Sequence, residues 1–315
     1  MRIINVNHKV KSLGLLLGLL IFFSSCEGEL EVVQSIDEEF SGIERIEINS
    51  EFMEVNYEGK SAQTAVELDG LLESSRSGNF KIEYSKEGNT LFIELDKNGM
   101  LGGGNHRALI NLVGPKNLEL NINSGSGKTV VSGIEFPNLD INSGSGNIQV
   151  FMVKSPSINL EVGSGSIEGY NLLGNVDAEA GSGKVEIDQM EGNLDIEASS
   201  GSISVRRLSG KLNVDMSSGN LDMGDVSEIE SLKVSSGNIS GSGVGLGPKT
   251  RLVTSSGRID IQTFSNLKAY NYDFEAGSGK VVVGQSSSSG SLKIDNGAAN
   301  TIAGSVSSGW IEIKN

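Results

Sequence analysis

A chain of 315 residues is long enough to bury a large core, yet aromatics supply only 5% of it and glycine occurs 42 times. A globule of this size draws on more large side chains, so a thin interior of Val, Ile, Leu, Ala and Met is expected instead. The formal charge of −15 leaves no electrostatic reason to seek nucleic acid or anionic lipid, which excludes nucleic-acid binding.

The chain opens with Arg2, Lys9 and Lys11, then an apolar run at Leu13–Phe23, then Ser24-Ser25-Cys26. That order resembles a bacterial lipoprotein signal, although Phe23 stands three places before Cys26 where such signals usually carry Leu. The resemblance implies cleavage before Cys26, acylation of its thiol and new amino group, and a lipid anchor in the cell envelope. An ordinary secretory signal followed by an incidental cysteine is the plainer alternative. Cys26 is the only cysteine, so no intrachain disulfide can form. Removing residues 1–25 takes three of the 25 basic residues and none of the 40 acidic ones, leaving −18.

Residues 26–39 are acidic and are expected to tether the anchor to the fold. Residues 40–116 are β-rich without a fixed period, as early irregular coils or a cap would be. Within them Phe80–Tyr84 and Leu91–Leu95 flank Gly88-Asn89, a hairpin signal. Gly99–His106 reads as a glycine-rich loop.

From residue 117 to 315 the register settles. Between Gly165 and Gly219 a glycine recurs every nine residues, and most are followed by apolar side chains two and four places on. Period-two alternation marks a strand with one buried face, and glycine between such runs marks a turn. After Gly210 the apolar set is Leu212, Val214 and Met216, at +2, +4 and +6; after Gly201 it is Ile203, Val205 and Leu208, at +2, +4 and +7. Short strands at a fixed period build a core only by stacking on their neighbours. The expectation is an all-β chain: a parallel, right-handed β-helix or β-solenoid of about 18–20 residues per coil, after a less regular N-terminal β region. Ser-Gly recurs with its glycine at 127, 146, 165, 183, 201, 219, 237, 257, 279 and 309. The long final step suggests an extra partial coil near Gly290, and Trp310–Lys314 is expected to leave an open strand edge.

Stacking converts sequence period into columns. One is serine, including Ser145, Ser164, Ser182, Ser200, Ser218 and Ser236, with hydroxyls suited to bonding local backbone groups at a corner. A catalytic serine would need a base in reach, and the one histidine after the signal, His106, lies outside the repeat. A second column is acidic: Glu161, Glu179, Glu197 and Asp215, flanked by Asp177 and Asp195. Such carboxylates repel one another; they form either a solvated face or, less readily, a seat for a hard cation such as calcium. Calcium-binding nonapeptide β-rolls carry Asp two places after a glycine, where the central coils here carry Ile, Leu or Val, so that mechanism is rejected. Tyr270, Tyr272, Phe274 and Trp310 either fill a widened coil or form an aromatic strip for sugar.

The units Ser143-Gly144-Ser145-Gly146-Asn147-Ile148, Ser218-Gly219-Asn220-Leu221 and Ser236-Gly237-Asn238-Ile239, with the opening Phe40-Ser41-Gly42-Ile43 and Ile46-Glu47-Ile48, resemble the "putative auto-transporter adhesin, head GIN domain" family. Lys128, Ser166, Lys184, Ser202, Arg258 and Lys280 depart from the Asn that follows the glycine. The resemblance implies an envelope β-helix of bacteria, often lipid-anchored, and carries over no catalytic residue. Together these readings point to a non-catalytic adhesin or binding scaffold on the outer membrane. It would be held by Cys26, use no cofactor or metal, and contact a glycan or an envelope or matrix protein. A carbohydrate-active β-helix enzyme and a periplasmic structural or stress-response component are the alternatives.

Overall fold

The computed structural model describes residues 29–76, 78–97 and 104–315. The signal, Cys26 and most of the glycine-rich loop lie outside the described residues. Apart from one 3₁₀ turn at Leu267–Ala269, the described regular structure is all strand.

Seven strands precede the regular part: β1 (Glu31–Ser41), β2 (Arg45–Glu51), β3 (Glu54–Lys60), β4 (Ala65–Ser74), β5 (Phe80–Glu87), β6 (Thr90–Lys97) and β7 (His106–Pro115). The expected hairpin is present, with Glu87 opposite Thr90 and Gly88 at φ +62° in the first loop position. The expected tether is corrected in its second half. Residues 31–41 form β1 and pair antiparallel with β4, because Ile36 finds a buried seat against Gly70 while the acids beside it stay in water.

The regular part comprises β8 (Glu119–Ser124), β9 (Lys128–Ser132), β10 (Asn138–Ser143), β11 (Asn147–Val162), β12 (Ser166–Glu191), β13 (Leu194–Thr254) and β14 (Arg258–Thr263). The last strands are β15 (Tyr270–Ala276), β16 (Lys280–Val283), β17 (Ser286–Ser288), β18 (Leu292–Ile294), β19 (Asn300–Val306) and β20 (Trp310–Lys314). β11, β12 and β13 are long because their hydrogen-bonded ladders continue around corners.

Successive parallel partners in the regular part stand 18 to 20 residues apart. Ile148 pairs with Ile167, Val185 with Ile203, Glu179 with Glu197 and Ser182 with Ser200. Side-chain bonds keep the same step within β13, as from Asn213 to Asp195 and from Asn238 to Asn220. The interior is one continuous hydrophobic cluster from Ile36 to Ile313.

Two backbone features fix the path. First, from Gly146 on, each Ser-Gly glycine lies against the carbonyl of the glycine one level away, so that a Cβ there would fall inside 3.0 Å of that oxygen; Gly127 lies in the same way against Met53 O. Glycine is required here by lack of space. Second, the sixth residue after each Ser-Gly glycine from Gly127 to Gly237 takes the left-handed conformation: Gly133, Met152, Asn171, Gln189, Arg207, Asp225 and Gly243 all have φ between 50° and 71°. That residue breaks the alternation, which is why the third apolar side chain falls at +7 and not +6.

The glycine contacts also reveal the order of levels. Gly257 touches Gly237, Gly309 touches Gly257, and Gly279 touches Gly309. The segment β19–β20 is therefore inserted beneath the earlier β15–β16: β20 pairs with β14 on one side and β16 on the other, and β19 pairs with β13 and β15. The expected partial coil near Gly290 and the open edge at Trp310–Lys314 are both corrected. Short β17 and β18 fold back antiparallel and cover β16 and β15 instead, as protected sheet edges do. The N-terminal end is built alike. β2 and β3 lie between β8–β9 and the later β6–β7, and antiparallel β5, β4 and β1 close that end.

Candidate functional site

With apolar side chains turned inward, the outward positions of each strand stack into columns exposed to solvent. The acidic column is assembled. Glu161, Glu179 and Glu197 stand on adjacent strands in register, as do Asp177 and Asp195. Glu161, Glu179, Glu197 and Asp215 line a shallow groove of about 360 Å³. Partial desolvation, then the neighbouring Glu161, Asp177 and Glu197, push the Glu179 carboxyl above its ordinary value. Asp195 accepts a hydrogen bond from Asn213 at 2.8 Å, and Asp215 pairs with Lys233 at 2.6 Å. Among the described residues no three His, Cys, Asp or Glu side chains converge as a metal site requires.

The serine column lies at a surface corner. The backbone N–H groups of Ser145, Ser164 and Ser182 donate to carbonyls of the level before, and the hydroxyls of Ser182 and Ser200 are 3.0 Å apart. Ser218 donates to the Ser199 carbonyl, while Ser236 continues the column without a hydroxyl bond of its own among the described residues.

His106 is not in a loop, as its sequence context suggested; it opens β7 opposite Ser74, with Nδ1 2.9 Å from Ser74 Oγ. The spacing is that of a nucleophile and base, but the surroundings are structural. Ser74 is buried, accepts from Arg76 N and bonds Arg76 O, and the imidazole packs edge-on against Phe80.

Of the two readings of the late aromatics, the structure takes the one in which they fill the coil. Tyr272 and Phe274 are inside the core, and Tyr270 donates its hydroxyl to Leu246 O at 2.7 Å. Trp310 is partly covered, with the Arg258 guanidinium 5.2 Å and Lys280 Nζ 4.5 Å from its ring. Two of the departures from Asn after the glycine thus sandwich the inserted strand from the levels on either side. Sequence reasoning missed the outward Phe151 and Tyr170, which are direct partners on adjacent strands; they sit in a column whose other members share no residue type.

The profile of the Toastrack DUF4097 family matches residues 43–240. The chain belongs to that family. Among solved structures, it is similar to a "putative adhesin" from Bacteroides fragilis at 12% identity, over 89% of this chain and 97% of the other, with a TM-score of 0.36. It is also similar to a "putative lipid binding protein" from Parabacteroides distasonis, at 15% identity over 90% and 96% of the two chains, with a TM-score of 0.36. A "putative adhesin" from Parabacteroides merdae aligns at 12% identity over 91% and 97%, with a TM-score of 0.34. No curated protein matches the chain.

Proposed function

We propose that this chain is a non-catalytic binding scaffold of the bacterial cell envelope, an adhesin held to the outer membrane by acyl groups on Cys26. Within its family, its closer kinship is with the head GIN domain proteins, and the pile is a right-handed β-solenoid of about 18–20 residues per coil. The observation that carries the reading is repetition of the outward face. Side chains such as Glu161, Glu179 and Glu197, or Asp177 and Asp195, recur in register on successive strands. A face that offers similar groups every ~4.8 Å suits many weak contacts with a repeating partner, where avidity replaces single-site affinity.

Three measurements test this. Protease shaving of intact cells should release the chain, and Cys26→Ala should abolish lipid labelling and move the protein out of the membrane fraction. Deleting the chain should reduce attachment of cells to glycan- or matrix-coated surfaces. A chain fully protected in intact cells, with attachment unchanged by its loss, would refute the scaffold reading.

A further inference from the structure

Phe151 and Tyr170 are outward side chains of directly paired residues on β11 and β12. Both belong to a surface groove of about 370 Å³ whose other side chains include Glu168, Glu186, Asp188 and Arg206. Tyr170 is 43% exposed, and Met152 and Leu173 beside this corner are 58% and 41% exposed. Large apolar groups so open on a face otherwise polar are unusual and mark a contact site.

The polar side of the groove is as informative. Asp188 Oδ2 is held by Arg207 at 2.5 Å, whereas Oδ1 is buried with no hydrogen-bond partner. With Oδ2 taken and Oδ1 shut off from solvent, the acceptors open to a ligand are the Glu168 and Glu186 carboxylates. Glu168 takes a bond from Gln149 at 2.7 Å, and Glu186 pairs with Lys184 at 2.6 Å, so both carboxylates are fixed in direction. Arg206, which also lines the groove, crosses Gly224, where a side chain would collide with it, and binds Asp222.

We propose that this groove binds a neutral oligosaccharide, the rings of Phe151 and Tyr170 stacking on the C–H face of a pyranose while Glu168 and Glu186 accept from its hydroxyls. The inference rests on the scaffold reading and names its ligand class. An aromatic face is the negative part of its quadrupole and attracts the weakly positive C–H groups of a sugar ring. Ionised carboxylates only accept hydrogen bonds, and sugar hydroxyls are donors arranged around a ring. An apolar protein partner would strip water from three carboxylates and return nothing, and an acidic glycan would be repelled. The four levels from Phe151 to Arg206 span about 14 Å at strand spacing, which suits a short run of sugar units.

The test is calorimetric titration of the full-length chain with short gluco-, xylo-, manno- and chito-oligosaccharides, with oligogalacturonate as the acidic arm. At least one neutral series should bind, Phe151→Ala and Tyr170→Ala should each weaken it tenfold or more without moving Tm, and Phe264→Ala, an exposed aromatic elsewhere, should leave it intact. The proposal is overturned if no neutral series binds, if the acidic arm binds better, or if Tyr170→Ala costs no more than Phe264→Ala. Binding that survives Tyr170→Ala removes this groove and leaves the scaffold reading standing. Binding through Tyr170 in a chain that contributes nothing to cell attachment removes the scaffold reading and leaves the groove.

Discussion

Gly183 illustrates how much of this molecule is decided by one hydrogen in place of a methyl. Its neighbour one level away, Gly165, presents a carbonyl oxygen where a Cβ would have to go, and neither backbone can move without disturbing the next level. Gly183→Ala should therefore destabilise the fold by about 3 kcal/mol or more, at the upper end of overpacking costs. Gly290→Ala, where the nearest atom is Ser288 Oγ at 3.8 Å, should change Tm very little; thermal unfolding of the pair makes the comparison. The left-handed column gives a second residue-scale expectation. Gln189 has φ +59°, a conformation that costs a non-glycine residue roughly 1–2 kcal/mol and a β-branched one more. Gln189→Val should lower stability by at least about 1 kcal/mol in urea unfolding, and Gln189→Gly should be tolerated.

Between neighbouring strands, charge gives opposite answers in two places, and pH separates them. Glu179 titrates above its ordinary value through desolvation and three carboxylate neighbours. The folded chain thus holds its proton more tightly than the unfolded chain, and this site's contribution to stability rises as pH falls through the raised value. Glu179→Gln should raise Tm near neutral pH, with the gain shrinking in acid. Asp260 is the reverse. Burial pushes its carboxyl up, but bonds from Lys314 and Arg258 outweigh it, and the net shift is downward. Its stabilisation is present above the ordinary aspartate value of 3.8 and is lost as pH falls through the lowered one. Asp260→Asn should lower Tm near neutral pH, and that loss should fade in strong acid. Because Asp260 is on β14 and Lys314 on β20, this pair also helps hold the inserted segment.

At the scale of the whole molecule, the sequence reads well where position implies neighbourhood and poorly where it does not. Val185 lies beside Ile203, as an 18-residue period requires, and the acidic column was legible from the same spacing. The order of the last levels was not. Gly257, Gly279 and Gly309 carry the same Ser-Gly signal, and nothing in that signal says that Gly309 lies between the other two. The Ser74–His106 contact was hidden too, because it joins residues 32 apart outside any repeat. The arrangement has an observable signature in hydrogen exchange. Ile311 and Ile313 are fully buried between β14 and β16, so their amides should exchange as slowly as that of Ile203, while β17 and β18 open first. Fast exchange at 311 and 313 would contradict the insertion.

Synthesis runs from the N-terminus, so residues 300–314 leave the ribosome after both of the levels they must separate. Until then β14 and β16 each lack a partner that no earlier part of the chain supplies. A prematurely terminated product would display two raw, sticky borders and would be an easy target for proteases. Finishing the stack thus doubles as an inspection step: only a chain translated through β20 can pair the facing borders of β14 and β16.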